Sequence, residues 1–523
     1  MKAIKLVIIH ILKILAFLAV PLFVYLFIVN SSLTAISPQV GIYSPSDEET
    51  NYLAALSIYR GEGLYQNFSI SYPPGRFIAQ TLFFHITSPT IISARIYMNL
   101  FAPLLFPVLL FFLTYRIVGS YLLAWLALLL DLTLIHSAQE VHVLIAAFGL
   151  ILLSNIRWRS FFLGLFLGLI FLFRFEAGII VTLSLFITYR TLSTRSSILG
   201  FILVWLPVLL NLLTHGTLFN FLYDIIVLGL ITQPAVMGEA IPPNGLWYAF
   251  LSSLIALFGL ALSLATSANK PLRVIAGVAL LSYVSALGRS DEGHLWYALI
   301  WLPLLVSYAI TQLGRFRLLP TIYMGIALFT LSYLIITIKS PVIFLLAGSL
   351  FLVIAPYLSK YSREFIISGI ITSLLVFHSF AYFTLRFQLP RYSGAPAHPW
   401  TQIPSDRSIG GLDFSPPTIA TLKELKSKIT GDNPHLFIFP ENTIYYEYFR
   451  LPRPTRYTYL IGERTAKTES EIISDLESTS NLYVMVFPDK AAQRGGAIWS
   501  WIQSNTNIIS TDPYQDNLIE LRH

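Results

Sequence analysis

The sequence contains no cysteine and few charges. Without thiols there is no disulfide framework, thiolate metal site, iron–sulfur cluster or cysteine nucleophile. The redox compartment stays open, because a chain without thiols survives anywhere. Charged residues make up 12% of the chain, about half the roughly 25% of an ordinary soluble domain. No repeat of fixed period and no low-complexity run is visible. What the chain has in excess is apolar. Hydrophobic residues reach 55% and the mean hydropathy is +0.69, which excludes disorder, collagen and an ordinary soluble fold.

The long apolar runs stop at residue 385, and charge divides there too. Residues 1–385 hold 20 Lys and Arg against 12 Asp and Glu, and residues 386–523 hold 14 against 15. This predicts a transmembrane domain over 1–385 and a soluble domain over 386–523. Apolar stretches near the roughly 20 residues that cross a bilayer lie at 6–29, 93–115, 120–136, 197–214, 246–266, 272–288, 295–313, 318–338, 341–358 and 365–385. Three shorter ones, 142–156, 160–173 and 177–189, are near the length at which re-entrant segments compete. The count predicts a polytopic α-helical membrane protein with about 13 transmembrane helices. Basic residues fall in alternate loops: Lys2 and Lys5, Arg116, Arg157 and Arg159, Arg190 and Arg195, Lys270 and Arg273, Arg315 and Arg317, Lys360 and Arg363. That places the N-terminus in the cytoplasm, and an odd number of spans places the tail outside. The first apolar segment is too long for a signal peptide and reads as an uncleaved span.

The tail reads as an extracytoplasmic α/β domain. Residues 417–429 and 468–478 suit helices, 436–439 and 482–487 suit strands, and 517–521 suits a final strand. Helix alternating with strand predicts a few parallel strands with flanking helices. No Gly-rich phosphate loop opens any of these helices, which argues against nucleotide binding there.

Among the 12 acids before residue 386, only Glu364 lies with the basic loops. Charge near a bilayer is costly, so this placement is informative. The first outer segment, about 31–92, opens with Ser46-Asp47-Glu48-Glu49. Its apolar positions predict a helix lying along the surface, stopped by Gly61 and Gly63. Tyr72-Pro73-Pro74-Gly75 then makes a rigid turn into a second interfacial helix. Asp47 there equally suits a helix N-cap. The next outer loop carries His136, Glu140 and His142, whose spacing could hold a divalent metal and also fits a polar cap on a span. Arg174-Phe175-Glu176 breaks an apolar run, facing a donor or snorkelling to headgroups. Arg289, Asp291 and His294 form a charged knot, or a solvated turn, between two later spans. The outer loop 215–245, with His215, Asp224 and Glu239, is long enough for a flap.

The order of these features resembles the GT-C superfamily. Its members are polytopic glycosyltransferases that use polyprenyl-phosphate sugars, such as protein O-mannosyltransferases and lipid A aminoarabinose transferases. The residues carrying the resemblance are Asp47-Glu48, Arg60-Gly61-Glu62-Gly63-Leu64-Tyr65 and Tyr72-Pro73-Pro74-Gly75. It covers residues 1–190, and the multispan layout with an outer tail agrees over the rest. The resemblance implies a catalytic acid at Asp47, with Glu48 beside it and Glu140 as a second acid. It places Tyr72 where many relatives carry Lys, and puts Arg76, Arg174, Glu176, Arg289, Asp291 and His294 on the side of the donor phosphate and substrate. The implied reaction is inverting transfer of a sugar from a polyprenyl-phosphate donor to a hydroxyl of a glycan, lipid or protein acceptor. Its site would be the outer face of a bacterial cytoplasmic membrane, with no required cofactor, a divalent metal being compatible, and no nucleic-acid partner. A lipid-linked oligosaccharide polymerase or ligase shares this donor chemistry. A transporter or flippase predicts midplane charges and internal repeats, whereas Asp131 is the one acid set well within a span.

Overall fold

The computed structural model describes residue 20 and residues 45–134, 138–189, 195–232, 270–287, 300–312, 408–409, 412–440, 443–457, 465–494, 496–514 and 517–523. The segment after the first apolar run supplies α1 (Pro45–Tyr59) and α2 (Gly75–Ile86). A rod then runs unbroken from Ile91 to Val118: α3 (Ile91–Ile96), a π-helical turn (Tyr97–Phe101) and α4 (Ala102–Val118). Pro103 has no N–H to donate back to residue 99, which accounts for the widened turn just before it. Next come α5 (Tyr121–Leu134), α6 (Glu140–Leu152), α7 (Arg159–Phe173), α8 (Phe175–Tyr189) and α9 (Arg195–Thr214). They are followed by α10 (Leu218–Leu222), which continues into a π-helical stretch (Tyr223–Thr232), and by α11 (Lys270–Leu287) and α12 (Leu302–Gln312).

Among the described residues one helix, α9, is long and apolar enough to cross a membrane alone. Its Ile198, Leu199, Leu203, Leu210 and Leu213 are exposed, as are Phe186 and Ile187 of α8. Water wets such a continuous apolar face poorly, and hydrocarbon suits it. α7 and α8 have 15 residues each, or roughly 22 Å at 1.5 Å per residue, short of a bilayer core. The expected spans at 6–29, 246–266, 318–338, 341–358 and 365–385 lie outside the described residues, apart from Val20.

α7 and α9 pack at backbone contact. A Cβ on Gly164 would sit 1.9 Å from the Ser197 carbonyl oxygen, and one on Gly200 would sit 2.2 Å from that of Phe161. One turn on from Gly164, the Trp205 indole N–H donates to the Gly168 carbonyl at 3.1 Å. Gly164 and Gly168 form the small-xxx-small spacing that lets apolar helices approach closely. Gly164→Ala is therefore expected to push the two helices apart and destabilise by about 1–3 kcal/mol. The melting temperature of detergent-solubilised protein would register the loss.

The tail begins with the short ladder β1 (Ser408–Ile409) and β2 (Leu412–Asp413), then α13 (Pro416–Lys428), β3 (His435–Phe439), α14 (Tyr445–Phe449) and α15 (Ala466–Ser478). It closes with β4 (Leu482–Val486), α16 (Pro488–Arg494), α17 (Gly496–Asn505), β5 (Ile508–Tyr514) and β6 (Asn517–Arg522). The sheet order is β3-β4-β6-β5. Only β3 and β4 are parallel; β6 runs antiparallel to both its neighbours. The expectation of parallel strands is thus corrected. β5 and β6 are separated by two residues, and so short a link permits only a hairpin.

Successive side chains point to opposite faces of the sheet. Phe437, Phe439, Val484 and Val486 pack beneath α15 and α17. Leu436, Ile438, Tyr483 and Met485 face the other way, into a core that also holds Tyr52, Leu53 and Leu56 of α1 and Phe77 and Phe84 of α2. One apolar core therefore joins the tail to α1 and α2. α1 does not lie along a free surface, as its sequence pattern predicted. Its residues 48–57 are all buried, because tail residues such as Leu436, Ile438 and Met485 share their core.

Candidate active site

The starts of α2 and α6 and the joint between α7 and α8 bring five of the expected residues together: Arg76, Glu140, His142, Arg174 and Glu176. Tyr65 has a left-handed backbone (φ 57°), and its hydroxyl donates to the Tyr72 carbonyl at 2.6 Å. Two prolines follow, then Gly75, where a Cβ would meet the Leu172 carbonyl oxygen at 2.6 Å. Only glycine lets α2 start this close to the end of α7. The result places Arg76, one residue on, beside the α7–α8 joint that carries Arg174.

Arg76 holds Glu140 with both prongs of its fork, Nε to Oε1 at 3.2 Å and Nη2 to Oε2 at 2.8 Å. Glu140 is buried in the first turn of α6 and also accepts from the Tyr97 hydroxyl. Arg174 is the extended residue between α7 and α8. Its Nε donates to Glu176 at 2.7 Å and its Nη1 to the Gln139 side chain at 3.3 Å. Two arginines, two carboxylates and an amide thus meet at one end of the helices. His142 adds a ring whose Nδ1 accepts the Gln139 backbone N–H at 2.9 Å.

The expected metal set fits this arrangement poorly. Both Glu140 oxygens are engaged by Arg76 and one His142 nitrogen is engaged by the backbone. A cation here would have to displace a guanidinium. Among the described residues no group of three His or acidic side chains could hold a metal; His136 lies outside them.

The acid run at the start of α1 divides by role. Asp47 is the third residue of α1, inside its first turn and not at the cap position before it. Glu48 is 7% exposed and meets Arg95 of α3 with two bonds, 2.6 Å from Nε and 2.8 Å from Nη2. Arg95 and Tyr97 are two residues apart on one continuous helix and point to nearly opposite sides. Hence α3 separates the Glu48 contact on one flank from the Glu140 contact on the other. The sequence reading overlooked Arg95, although a lone arginine at the start of an apolar run is the signal that should mark it. Tyr72 is half-buried and contributes its carbonyl to the turn. Arg289, Asp291 and His294 lie outside the described residues.

Glu49 faces the tail. Its Oε2 accepts from the Ile444 backbone N–H at 3.2 Å and from Thr443 Oγ1 at 3.4 Å. Burial pushes its carboxyl up to about 8, against the Ile444 hydrogen bond and with some help from the neighbouring Glu48 charge. The folded chain therefore binds a proton that the unfolded chain releases near 4.5. Stability from this group is fully present below about pH 4.5 and is lost as pH rises through about 8. Glu49→Gln keeps the acceptor and cannot ionise. Its melting temperature should match the parent near pH 5 and exceed it by a widening margin towards pH 9. A constant margin would mean the carboxyl is already charged at pH 5.

Asp224, in the expected flap, is fully buried and clasped by Arg456 of the tail at 2.8 and 3.0 Å. Burial raises its pKa to about 6 in spite of that arginine. This part of the loop is helical and docked; residues 233–245 lie outside the description.

No family model matches the sequence, and no match is found among curated proteins. Among solved structures the chain is similar to ArnT from Cupriavidus metallidurans bound to undecaprenyl phosphate. The two are 12% identical, the TM-score is 0.54, and the match covers 97% of this chain and 98% of that one. The apo state of the same ArnT gives 13% identity and a TM-score of 0.52, covering 100% and 98%. The likeness is one of fold. It supports the GT-C architecture that the sequence resemblance implied, and does so along nearly the whole chain.

Proposed function

We infer that the chain is a membrane-embedded glycosyltransferase of GT-C type. It takes a sugar from a polyprenyl-phosphate donor and delivers it to an acceptor hydroxyl at the outer face, inverting the anomeric carbon. The observation that carries this reading is the Arg76–Glu140 and Arg174–Glu176–Gln139 cluster, built at the joint between α2, α6, α7 and α8 of an ArnT-like fold. The undecaprenyl phosphate bound to that ArnT supports a lipid phosphate as the donor's leaving group.

The chemistry needs two functions on one side of the membrane. A carboxylate takes the proton of the attacking hydroxyl, the role assigned to Asp47. As the new carbon–oxygen bond forms, the bond from the anomeric carbon to the phosphate oxygen breaks. Charge then grows on the departing phosphate. Guanidinium forks match a phosphate's geometry and offset that charge. In the present state Arg76 and Arg174 hold carboxylates, which keep the forks oriented, and an arriving phosphate exchanges for them. The crowding of acids away from the basic loops supports a cytoplasmic N-terminus and an outer tail.

The decisive assay supplies membranes containing the chain with radiolabelled polyprenyl-phosphate sugars. Label should leave one donor for a water-side or lipid acceptor, releasing polyprenyl phosphate. No consumption of any such donor, by a chain shown to be folded, defeats the reading.

A further inference from the structure

A cavity of about 790 Å³ lies between the C-terminal half of α1 with its following loop and the segment after α14. Four arginines line it: Arg60, Arg450, Arg453 and Arg456. The last three come from Arg450-Leu451-Pro452-Arg453-Pro454-Thr455-Arg456. Two prolines hold such a segment extended and bias the residues before them away from helix. The segment is tied to the edge of the sheet, where the Leu436 N–H donates to the Pro452 carbonyl at 3.0 Å.

The four cations are not equally occupied. Arg60 is paired with Glu447 at 2.8 Å, and the Arg456 fork is filled by Asp224. Arg450 is exposed and has no acid partner among the described residues. Arg453 is mostly buried with its guanidinium over the Tyr446 ring, 5.8 Å from its centre, and its Nη2 makes long contacts to Ser57 at 3.4 Å and Glu62 at 3.9 Å. Its Nη1 is buried with no hydrogen-bond partner, and so is Oε2 of Glu62. A buried donor left unmade costs about 1–3 kcal/mol, so native structures rarely keep one without a reason. Beside these cations, the exposed side chains of Gln66 and Asn67 offer amide donors and acceptors of the kind that suit hydroxyls, and Leu53 and Leu56 offer apolar surface.

Two under-used guanidiniums, amides and an apolar wall in one cavity suit a polyol that carries an oxyanion. We propose that this cavity binds an acidic saccharide portion of the acceptor, with Arg453 and Arg450 holding its carboxylate or phosphate. This rests on the transferase reading and deepens it. Ser57 at the cavity lies ten residues beyond Asp47 on α1, about 15 Å along the helix. The anionic group would then sit well away from the attacked hydroxyl, so the acceptor is an extended glycan rather than a single small sugar.

The test measures binding to the detergent-solubilised full chain, with no donor present. The probes are trigalacturonate for carboxylate, glucosamine 6-phosphate for phosphate, and maltotriose as the neutral control. One acidic probe should bind well above maltotriose, and which one identifies the anion. Arg453→Gln should weaken it at least tenfold. Arg450→Gln, on an exposed side chain whose loss leaves the fold intact, should weaken it about three- to tenfold. Glu62→Gln should tighten it by removing a competing acid. Asp47→Asn should leave it unchanged, which separates this site from the catalytic one. Absence of acidic binding, equal binding of maltotriose, or binding indifferent to both arginine variants overturns the proposal. Acidic binding that responds as expected, in a chain that consumes no lipid-linked donor, keeps the cavity as a saccharide site and removes the transferase reading instead.

Discussion

Replacing Asp47 by Asn is expected to lower turnover by roughly 10²–10⁴-fold, the range for lost acid–base catalysis, with the protein still folded and inserted. The substitution keeps shape and hydrogen-bonding capacity and removes basicity. Of the three consecutive acids, Glu48 is committed to Arg95 and Glu49 to the Thr443–Ile444 backbone and hydroxyl. Each of those bonds has a structural purpose, holding α1 to α3 and to the tail. Neither neighbour is thus offered to an acceptor, which agrees with Asp47 as the proposed base, the position at which the GT-C resemblance falls. The variant should also lose little affinity for donor, because the guanidinium forks of Arg76 and Arg174 belong to other helices. Near-normal transfer by Asp47→Asn, with Glu140→Gln inactive, would move the base to Glu140.

Hydropathy made most of the helical part legible. The runs 120–136, 160–173, 177–189 and 197–214 anticipated α5, α7, α8 and α9 to within about two residues at either end, because an apolar run bounded by charge leaves little choice of boundary. In the tail, α13, α15, β3, β4 and β6 were equally readable. β5 was not: its sequence IISTDPY lacks alternation and includes Pro513. That residue is tolerated because β5 is an edge strand. The α7–α9 contact was also missed, although Gly164 and Gly168 carry a readable spacing.

The site was legible in kind and not in connection. Acids and arginines on one face could be picked out by their cost near a bilayer, and Arg76, Glu140, Arg174 and Glu176 do meet. Who pairs with whom could not be read. Glu49 meets Ile444, Asp224 meets Arg456 and Arg60 meets Glu447 across hundreds of residues, and no local pattern encodes such contacts. The same contacts explain why α1, expected to lie along the surface, is buried instead.

The Glu48–Arg95 pair gives the largest expected effect on stability. Both side chains are almost fully buried, so each charge is tolerated only because the other compensates it. Removing one partner from such a pair costs about 3–5 kcal/mol, whereas replacing both with apolar groups of similar size is often near neutral. Glu48→Leu should therefore lower the melting temperature sharply, and Arg95→Met should do the same. The double variant Glu48→Leu with Arg95→Met should recover most of the loss, giving a strong coupling in a double-mutant cycle. Turnover distinguishes this role from a catalytic one. The double variant should regain activity along with stability if Glu48 only positions the first turn of α1 and Asp47 with it. A double variant that melts normally and transfers nothing would make Glu48 the base, and the Arg95 contact would then be the means of orienting it.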